Sequence, residues 1–245
     1  AIPTWEFNGR GSEYLNDLLR TIQIQSYKDY EVCISDHSVD NEVLKELKQF
    51  EGKFNIVYDK NENDRGNGPA NTNKAIEMCS GDIIKVMFQD DFFYDTESLE
   101  KIHSEFEQSD GMWLVNGCNH TKDDGYNFYW EMFPKWNDKM IEGVNSISSP
   151  SVLSMRKECF EKVRFDEKLV MMMDCDYYYN LKTNFGDPIY FEDVLVSNRV
   201  HENQISSTSD KDIQVEIDYC LDKYAIIKGS LIVNMPRSDY EGKDQ

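Results

Sequence analysis

Apolar and polar positions run along the chain in blocks whose period switches between two and about 3.6. Ala1-Ile2-Pro3-Thr4 reads as the end of a strand, with Pro3 fixing the exit. The chain therefore starts inside an element, and residues upstream of Ala1 are expected. After a loop over 8–11, Ser12 can N-cap a helix whose Leu15, Leu18, Leu19 and Ile22 form one apolar stripe. Tyr30 to Ser35 alternates through Val32 and Ile34 as a second strand, ending in Asp36-His37-Ser38-Val39-Asp40. Val43, Leu44 and Leu47 mark a second helix, and Phe54 to Tyr58 a third strand. A polar loop over 61–69, containing Arg65-Gly66-Asn67-Gly68, leads into a helix through Ala70, Ala75, Ile76 and Met78. Ile83 to Asp91 is then an apolar run closed by two carboxylates, which reads as a buried strand of a parallel sheet.

The second half is less regular. Thr96 to Gln108 reads as a helix with Leu99, Ile102 and Phe106 inward, and Met112 to Gly117 as a strand. Asn119 to Lys139 holds Tyr126, Phe128, Tyr129, Trp130, Phe133 and Trp136 with little clean periodicity. Ile147 to Met155 reads as a strand, Asp174 to Asn184 as a helix opened by acids, and Val194 to Val200 as a strand. Asp210 to Lys228 can form a last amphipathic helix, and the tail from Arg237 is polar. Strands and helices alternating over the first ninety or so residues predict an α/β fold with a mostly parallel sheet flanked by helices.

Composition narrows the function. The 245 residues are 40% hydrophobic and 13% aromatic, a globular balance, and carry a formal charge of −20. That charge repels phosphates, so nucleic acid and anionic membranes are excluded as partners. An anionic small substrate would need a metal or a few placed cations. The six cysteines are dispersed without a CxxC, which argues against a zinc site or a disulfide framework. Reduced thiols in a cytoplasmic protein are the simplest expectation. No run reaches membrane-spanning length.

Ligands of open α/β sheets bind beyond the carboxyl ends of the strands. Asp90 and Asp91 would sit there, and paired carboxylates suit Mg²⁺ or Mn²⁺, although an Asp pair also suits a turn. Asp36, Asp174 and Asp176 recur at strand ends or helix starts, where each could equally be a cap; His201 could be a surface histidine. The Gly66-Asn67-Gly68 loop fits neither a P-loop nor a dinucleotide fingerprint.

The order of these pieces resembles the inverting family 2 glycosyltransferases with the GT-A fold. The resemblance spans Ile2 to about Ser206. It is carried by Ile2-Pro3-Thr4, the run Leu18 to Tyr27, the run Tyr30 to Asp40, Gly68 to Ile76, Gly81-Asp82-Ile83 and Gln89-Asp90-Asp91. Ser149-Pro150-Ser151, Met173 to Tyr178 and Arg199 to Gln204 complete it. It implies a GT-A domain over 1–206, with a nucleotide-binding half at 1–117, an acceptor half with a smaller mixed sheet at 118–206, and a C-terminal helical extension at 207–245. It implies that Pro3 and Thr4 lie beside the base and that Asp36 accepts from uracil N3–H. Arg65, Asn71 and Asp90 would also hold the donor. Asp91 and His201 would hold Mn²⁺ or Mg²⁺, and Asp174 would be the general base. Trp130, Trp136 and Asp176 are candidates for the acceptor glycan, the aromatic stretch being equally readable as a core flap. There are two departures. Phe88 stands where the family's common Asp-x-Asp-Asp has its first Asp, and Met173 replaces a frequent Glu. The expected activity is transfer of a sugar from a nucleotide sugar, a UDP-sugar by the Asp36 reading, to a hydroxyl. The alternatives are a sugar nucleotidyltransferase, whose glycine-rich basic loop Trp5 to Arg10 does not resemble, and an inactive binding module of the same fold.

Overall fold

Three parallel strands, β1 (Ile2–Thr4), β2 (Glu31–Asp36) and β3 (Asn55–Lys60), pair in that order. Thr4 lies opposite Asp36, and Asp36 opposite Lys60, so the carboxyl ends finish level with one another. The protein is described by a computed structural model over residues 1–6, 10–122, 125, 127–202, 204 and 213–233, with side chains as far as 225. Tyr126, Asn203, the expected helix start at Asp210 and the tail from Arg237 lie outside the described residues.

Helices α1 (Gly11–Gln23), α2 (Glu42–Leu47) and α3 (Gly68–Glu77) make the crossovers. The stripe of α1 is buried as its spacing requires, and Val43 and Leu47 of α2 are buried while Leu44 is exposed. Ser12 does not cap α1. The Glu6 carboxylate accepts from the amides of Gly11 at 2.9 Å and Ser12 at 2.7 Å, satisfying the orphan donors from outside the helix. Helix α3 is capped by Asn67, whose side chain accepts from the Ala70 amide at 3.0 Å.

The second sheet is mixed. It comprises β4 (Ile83–Lys85), β5 (Phe92–Phe93), β6 (Trp113–Thr121), β7 (Phe128–Met132), β8 (Leu153–Arg156) and β9 (Ile189–Arg199). The order is β4-β8-β6-β9-β5, with β7 added to β6. Among the described residues only β6 and β9 are parallel in it. The expected parallel strand ending at Asp91 is thus corrected: its regular part stops at Lys85 and pairs antiparallel with β8. The other flank of the same segment touches β1. The Ala1 ammonium donates to the Lys85 carbonyl at 2.8 Å, and the Met87 amide donates to the Ala1 carbonyl at 3.0 Å, the bonding of a parallel pair. Residues 83–87 therefore join the two sheets, and one hydrophobic cluster runs across both.

Helix α4 (Ser98–Gln108) packs Ile102 and Phe106 on Leu114 and Leu195 in a smaller cluster. Helices α5 (Lys157–Lys162) and α6 (Met173–Phe185) follow, and α7 (Ile213–Val233) lies against α6 through Cys220 and Tyr224. The strand expected over 147–155 begins only at Leu153, because Ser148 takes a φ of 109° and Pro150 opens a tight turn over Pro150–Val152. Strands β5 and β7 and helix α5 carry too little periodicity to be read from sequence. All six cysteines are buried free thiols. Among the described residues, no helix is long and apolar enough to cross a membrane.

Gly11 shows why the chain can turn so sharply into α1. A Cβ there would lie 2.4 Å from the Trp5 carbonyl oxygen, a backbone atom that cannot swing aside. Gly11→Ala should cost about 1–3 kcal/mol of stability, as overpacking does. Urea unfolding followed by circular dichroism checks this, with Gly68→Ala, which meets open space, as the neutral control.

Candidate functional site

The carboxyl end of β1 and the starts of α1 and α3 form one wall of a cleft of about 470 Å³. Thr4 is buried, and its carbonyl accepts from the His37 amide at 2.9 Å and from Asn71 Nδ2 at 3.0 Å. Ser35 Oγ donates to Asn71 Oδ1 at 2.7 Å. Asn71 thus clasps two strand ends while lining the cleft beside Pro3 and Thr4. Asp36 faces elsewhere. It is 0% exposed; Oδ1 accepts from the Ser38 amide at 2.8 Å, and Oδ2 accepts from the Tyr58 hydroxyl at 2.8 Å and Lys60 Nζ at 3.0 Å. Burial and this carboxylate push the Tyr58 phenol up. Arg65 pairs with Glu62 at 3.2 Å and does not line the cleft.

The two acids after Gln89 take opposite sides of the chain. Asp90 lines the cleft, its Oδ2 3.1 Å from His201 Nε2. Asp91 points inward and is 4% exposed. Its oxygens accept from the Arg199 amide at 3.1 Å and from Ser149 Oγ at 3.2 Å. Burial, with the Asp90 charge second, pushes the Asp91 carboxyl up to about 8. Burial also pulls nearby Lys85 down to about 7. Asp91, expected as a metal ligand, is buried in this structure. The chain turns over Phe88–Asp91, closed by the Asp91 amide donating to the Phe88 carbonyl at 3.1 Å, which leaves Asp90 on the cleft and Asp91 against Ser149 and the Arg199 amide. The Arg199 guanidinium sits behind the pair. It donates to the Asp90 carbonyl at 3.0 Å and to Asp17 at 3.1 Å, and lies 4.3 Å over the Tyr14 ring.

Among the described residues, no three His, Cys, Asp or Glu groups converge as a metal site. Asp90 and His201 nonetheless fit a hard divalent ion held jointly with a substrate. Mg²⁺ is commonly bound through one or two protein groups plus phosphate oxygens, and adjacent ligands at about 2.1 Å from an octahedral ion stand about 3 Å apart. The 3.1 Å between the Asp90 and His201 atoms matches that edge.

Across the cleft, Asp174 sits at the N-terminus of α6. Its Oδ1 accepts from the Cys175 amide and its Oδ2 from Asn145 Nδ2, both at 2.7 Å. Burial outweighs these bonds and pushes the carboxyl up to about 6. The remaining candidates lie off the cleft. Asp176 is 0% exposed and bound to Lys223 Nζ at 2.8 and 3.0 Å and to the Tyr224 hydroxyl at 2.8 Å, tying α6 to α7. Trp130 stacks on His120 at 4.8 Å on the exposed strand β7, with φ 43°. Trp136 donates to Asp138 at 3.0 Å and packs against the core. Sequence reasoning passed over Arg10, Tyr14 and Gln89. Arg10 and Tyr14 share the cleft rim, with the guanidinium 4.7 Å over the ring. Gln89 holds the backbone of Trp5 by two bonds, of 2.9 and 2.7 Å. A cation between two glycines just after the first strand was the available signal for Arg10.

Residues 2–164 match the model of glycosyl transferase family 2. An uncharacterised glycosyltransferase of Methanocaldococcus jannaschii is 26% identical over 197 residues, covering 77% of this chain and 66% of that protein. Residues 1–349 of Staphylococcus aureus TarS, solved with UDP-GlcNAc, align with a TM-score of 0.69 at 17% identity, over 86% of this chain and 60% of that one. The mannosyltransferase PcManGT from Pyrobaculum calidifontis, solved with GDP-Man and Mn²⁺, aligns with a TM-score of 0.61 at 13% identity, over 82% and 56%. The chain spans less than two thirds of each of these proteins. Likeness at such identities speaks to the fold, which is GT-A.

The burial of Asp176 makes a clear prediction. Asp176→Ala removes the charged hydrogen bonds from Lys223 and the Tyr224 hydroxyl, while Lys223 keeps Asp166 at 2.9 Å, so the cost is that of lost charged hydrogen bonds, about 1.5–3 kcal/mol. Asp176→Ala should lose stability on that order in denaturant titration. Nucleotide binding at the cleft should stay within about twofold of the wild type when measured well below the melting temperature.

Proposed function

The chain belongs to glycosyl transferase family 2, and on that premise we propose that it transfers a sugar, with inversion, from a UDP-sugar to a hydroxyl of a saccharide acceptor. The observation that carries the reading is the facing of two groups across one cleft. Asp90 with His201 stands on the strand-end side, and Asp174, held basic by burial, on the helix side. Residues 1–117, with His201 added, supply the donor wall, and 118–206 also supply Asp174 and the acceptor side. UDP is favoured by the UDP-GlcNAc bound to TarS. Asp36 lends no support to it here, since Ser38, Tyr58 and Lys60 occupy its oxygens.

The reaction needs one displacement at the anomeric carbon. The acceptor oxygen bonds to that carbon, and the bond to the diphosphate oxygen breaks, with its electron pair leaving on the diphosphate. The hydroxyl proton passes to Asp174, whose raised affinity for it suits a general base. Negative charge grows on the leaving group, and on a chain of −20 it must be met locally. Arg10 at the rim is one source of positive charge. Asp90 and His201 would hold a Mn²⁺ or Mg²⁺, which supplies charge neutralisation when bound.

Two measurements test the reading. The Asp174 carboxylate is the active form above about pH 6 and is lost as pH falls through that value. Transfer should therefore drop about tenfold per pH unit below 6. Asp174→Asn should cut transfer by roughly 10²–10⁴ and spare donor binding. An α-linked donor should give a β-linked product by NMR of the anomeric proton; retention of configuration, or an active Asp174→Asn enzyme, defeats the mechanism. For the ion, UDP affinity by calorimetry should weaken with EDTA and recover with Mn²⁺. Asp90→Asn should bind UDP equally with and without metal, and a wild type indifferent to metal removes the claim.

A further inference from the structure

Glu216 of α7 is 7% exposed and makes no contact with the cleft, yet its carboxylate collects the backbone amides of three successive residues. Oε2 accepts from Val170 at 3.0 Å, Met171 at 2.8 Å and Met172 at 2.9 Å, and Oε1 from Val170 at 3.1 Å. These three residues form the turn that enters α6. Val170 and Met171 line the cleft with Met173 and Asp174. Amides converging in this way form a concavity for an anion, and here a carboxylate from another element fills it. Without that charge three donors, the Met172 amide buried and those of Val170 and Met171 half-buried, would lose this partner.

The next residue of α7 reaches the other support of Asp174. Ile217 packs at Gly143, where an added Cβ would stand 3.1 Å from its Cδ1, close before Asn145 in the chain. Asn145 holds Asp174 Oδ2, and the Cys175 amide holds Oδ1. Helix α7 therefore touches both segments that orient the carboxylate. Its docking on α6 does not need Glu216, because Lys223 and Tyr224 already bind Asp176, and Lys223 also binds Asp166 at 2.9 Å. Among the described residues, Glu216 is the side chain that gathers the amides of the turn over 170–172.

We propose that α7 belongs to the transferase site, with Glu216 as the positioning residue that fixes the turn before Asp174 and so aims its carboxylate at the acceptor hydroxyl. This rests on the assignment of Asp174 as base. The C-terminal segment is on this view a working part of the enzyme and not an appendage to the GT-A domain.

Glu216→Gln keeps the size and one acceptor oxygen but removes the charge and adds a donor facing the amides. It should lower kcat roughly ten- to hundredfold, as small misplacements of a reacting group do, with the donor KM within about twofold. Hydrogen exchange should rise at Val170, Met171 and Met172 and at Cys175. Tyr224→Phe, which loses the hydroxyl bonds to Asp176 two turns further along the same helix, should lower the melting temperature yet keep kcat at an equal folded fraction. A folded Glu216→Gln enzyme with wild-type kcat overturns the proposal, as does an equal loss of kcat in Tyr224→Phe. Failure of the wild type to turn over any donor counts against the proposed function instead. Exchange then decides this inference: unchanged protection at Cys175 in Glu216→Gln overturns it, and loss of protection there supports it.

Discussion

The cleft depends on a buried guanidinium. Arg199, 2% exposed at the end of β9, must shed its water on a chain with twenty more acidic than basic charges. Burying a charge is unfavourable unless it is paired and hydrogen-bonded. Arg199 meets that condition with the Asp90 carbonyl, the Asp17 carboxylate and the faces of Tyr14 and Phe92, while its amide donates to Asp91. One residue thus connects α1, the chain between β4 and β5, and β9. Asp90 can face the cleft because its neighbour is held on the inner side and its own carbonyl is fixed.

The acidity of the chain gives that arrangement its sense. A surface so negative offers little general attraction to a nucleotide diphosphate. Positive character for the proposed donor has to be local, and the cleft offers Arg10 at its rim. The same economy holds on the opposite wall. Asp174 stays available for a proton because burial raises its affinity, whereas Asp176, two positions on, is committed to Lys223. Two carboxylates in one helical turn differ in role because one faces a cleft and the other faces α7.

Carboxylates also act as internal ligands in this protein, taking places that sequence would give to caps or to substrate. Glu6 satisfies the start of α1 from outside, Glu216 fills the turn before α6, and Asp36 gathers Tyr58 and Lys60. Each bond joins residues distant in sequence or across a loop, so no local pattern announces it. The amide donors involved belong to backbone, and backbone carries no residue signature.

The α/β alternation, the buried stripe of α1, the Asn71 and Asp174 positions on the cleft, and the family were legible from the sequence. Local period suffices for the alternation and the stripe, because an apolar stripe must be buried, and the order of motifs that carries the family resemblance supplied Asn71 and Asp174. What sequence could not decide was direction and partnership. Whether Asp90 or Asp91 faces out depends on the turn over Phe88–Asp91 that follows the strand, and on Ser149 and Arg199, which come from elsewhere in the chain to hold Asp91. Whether Asp36 and Asp176 meet substrate or protein depends on Lys60 and Lys223, which come from other elements. Helical spacing made Asp210 to Lys228 read as an amphipathic tail; only the packed structure placed Glu216 against the turn that carries Asp174. Local periodicity records which residues must leave water, and tertiary contact alone decides which of the buried charges find each other.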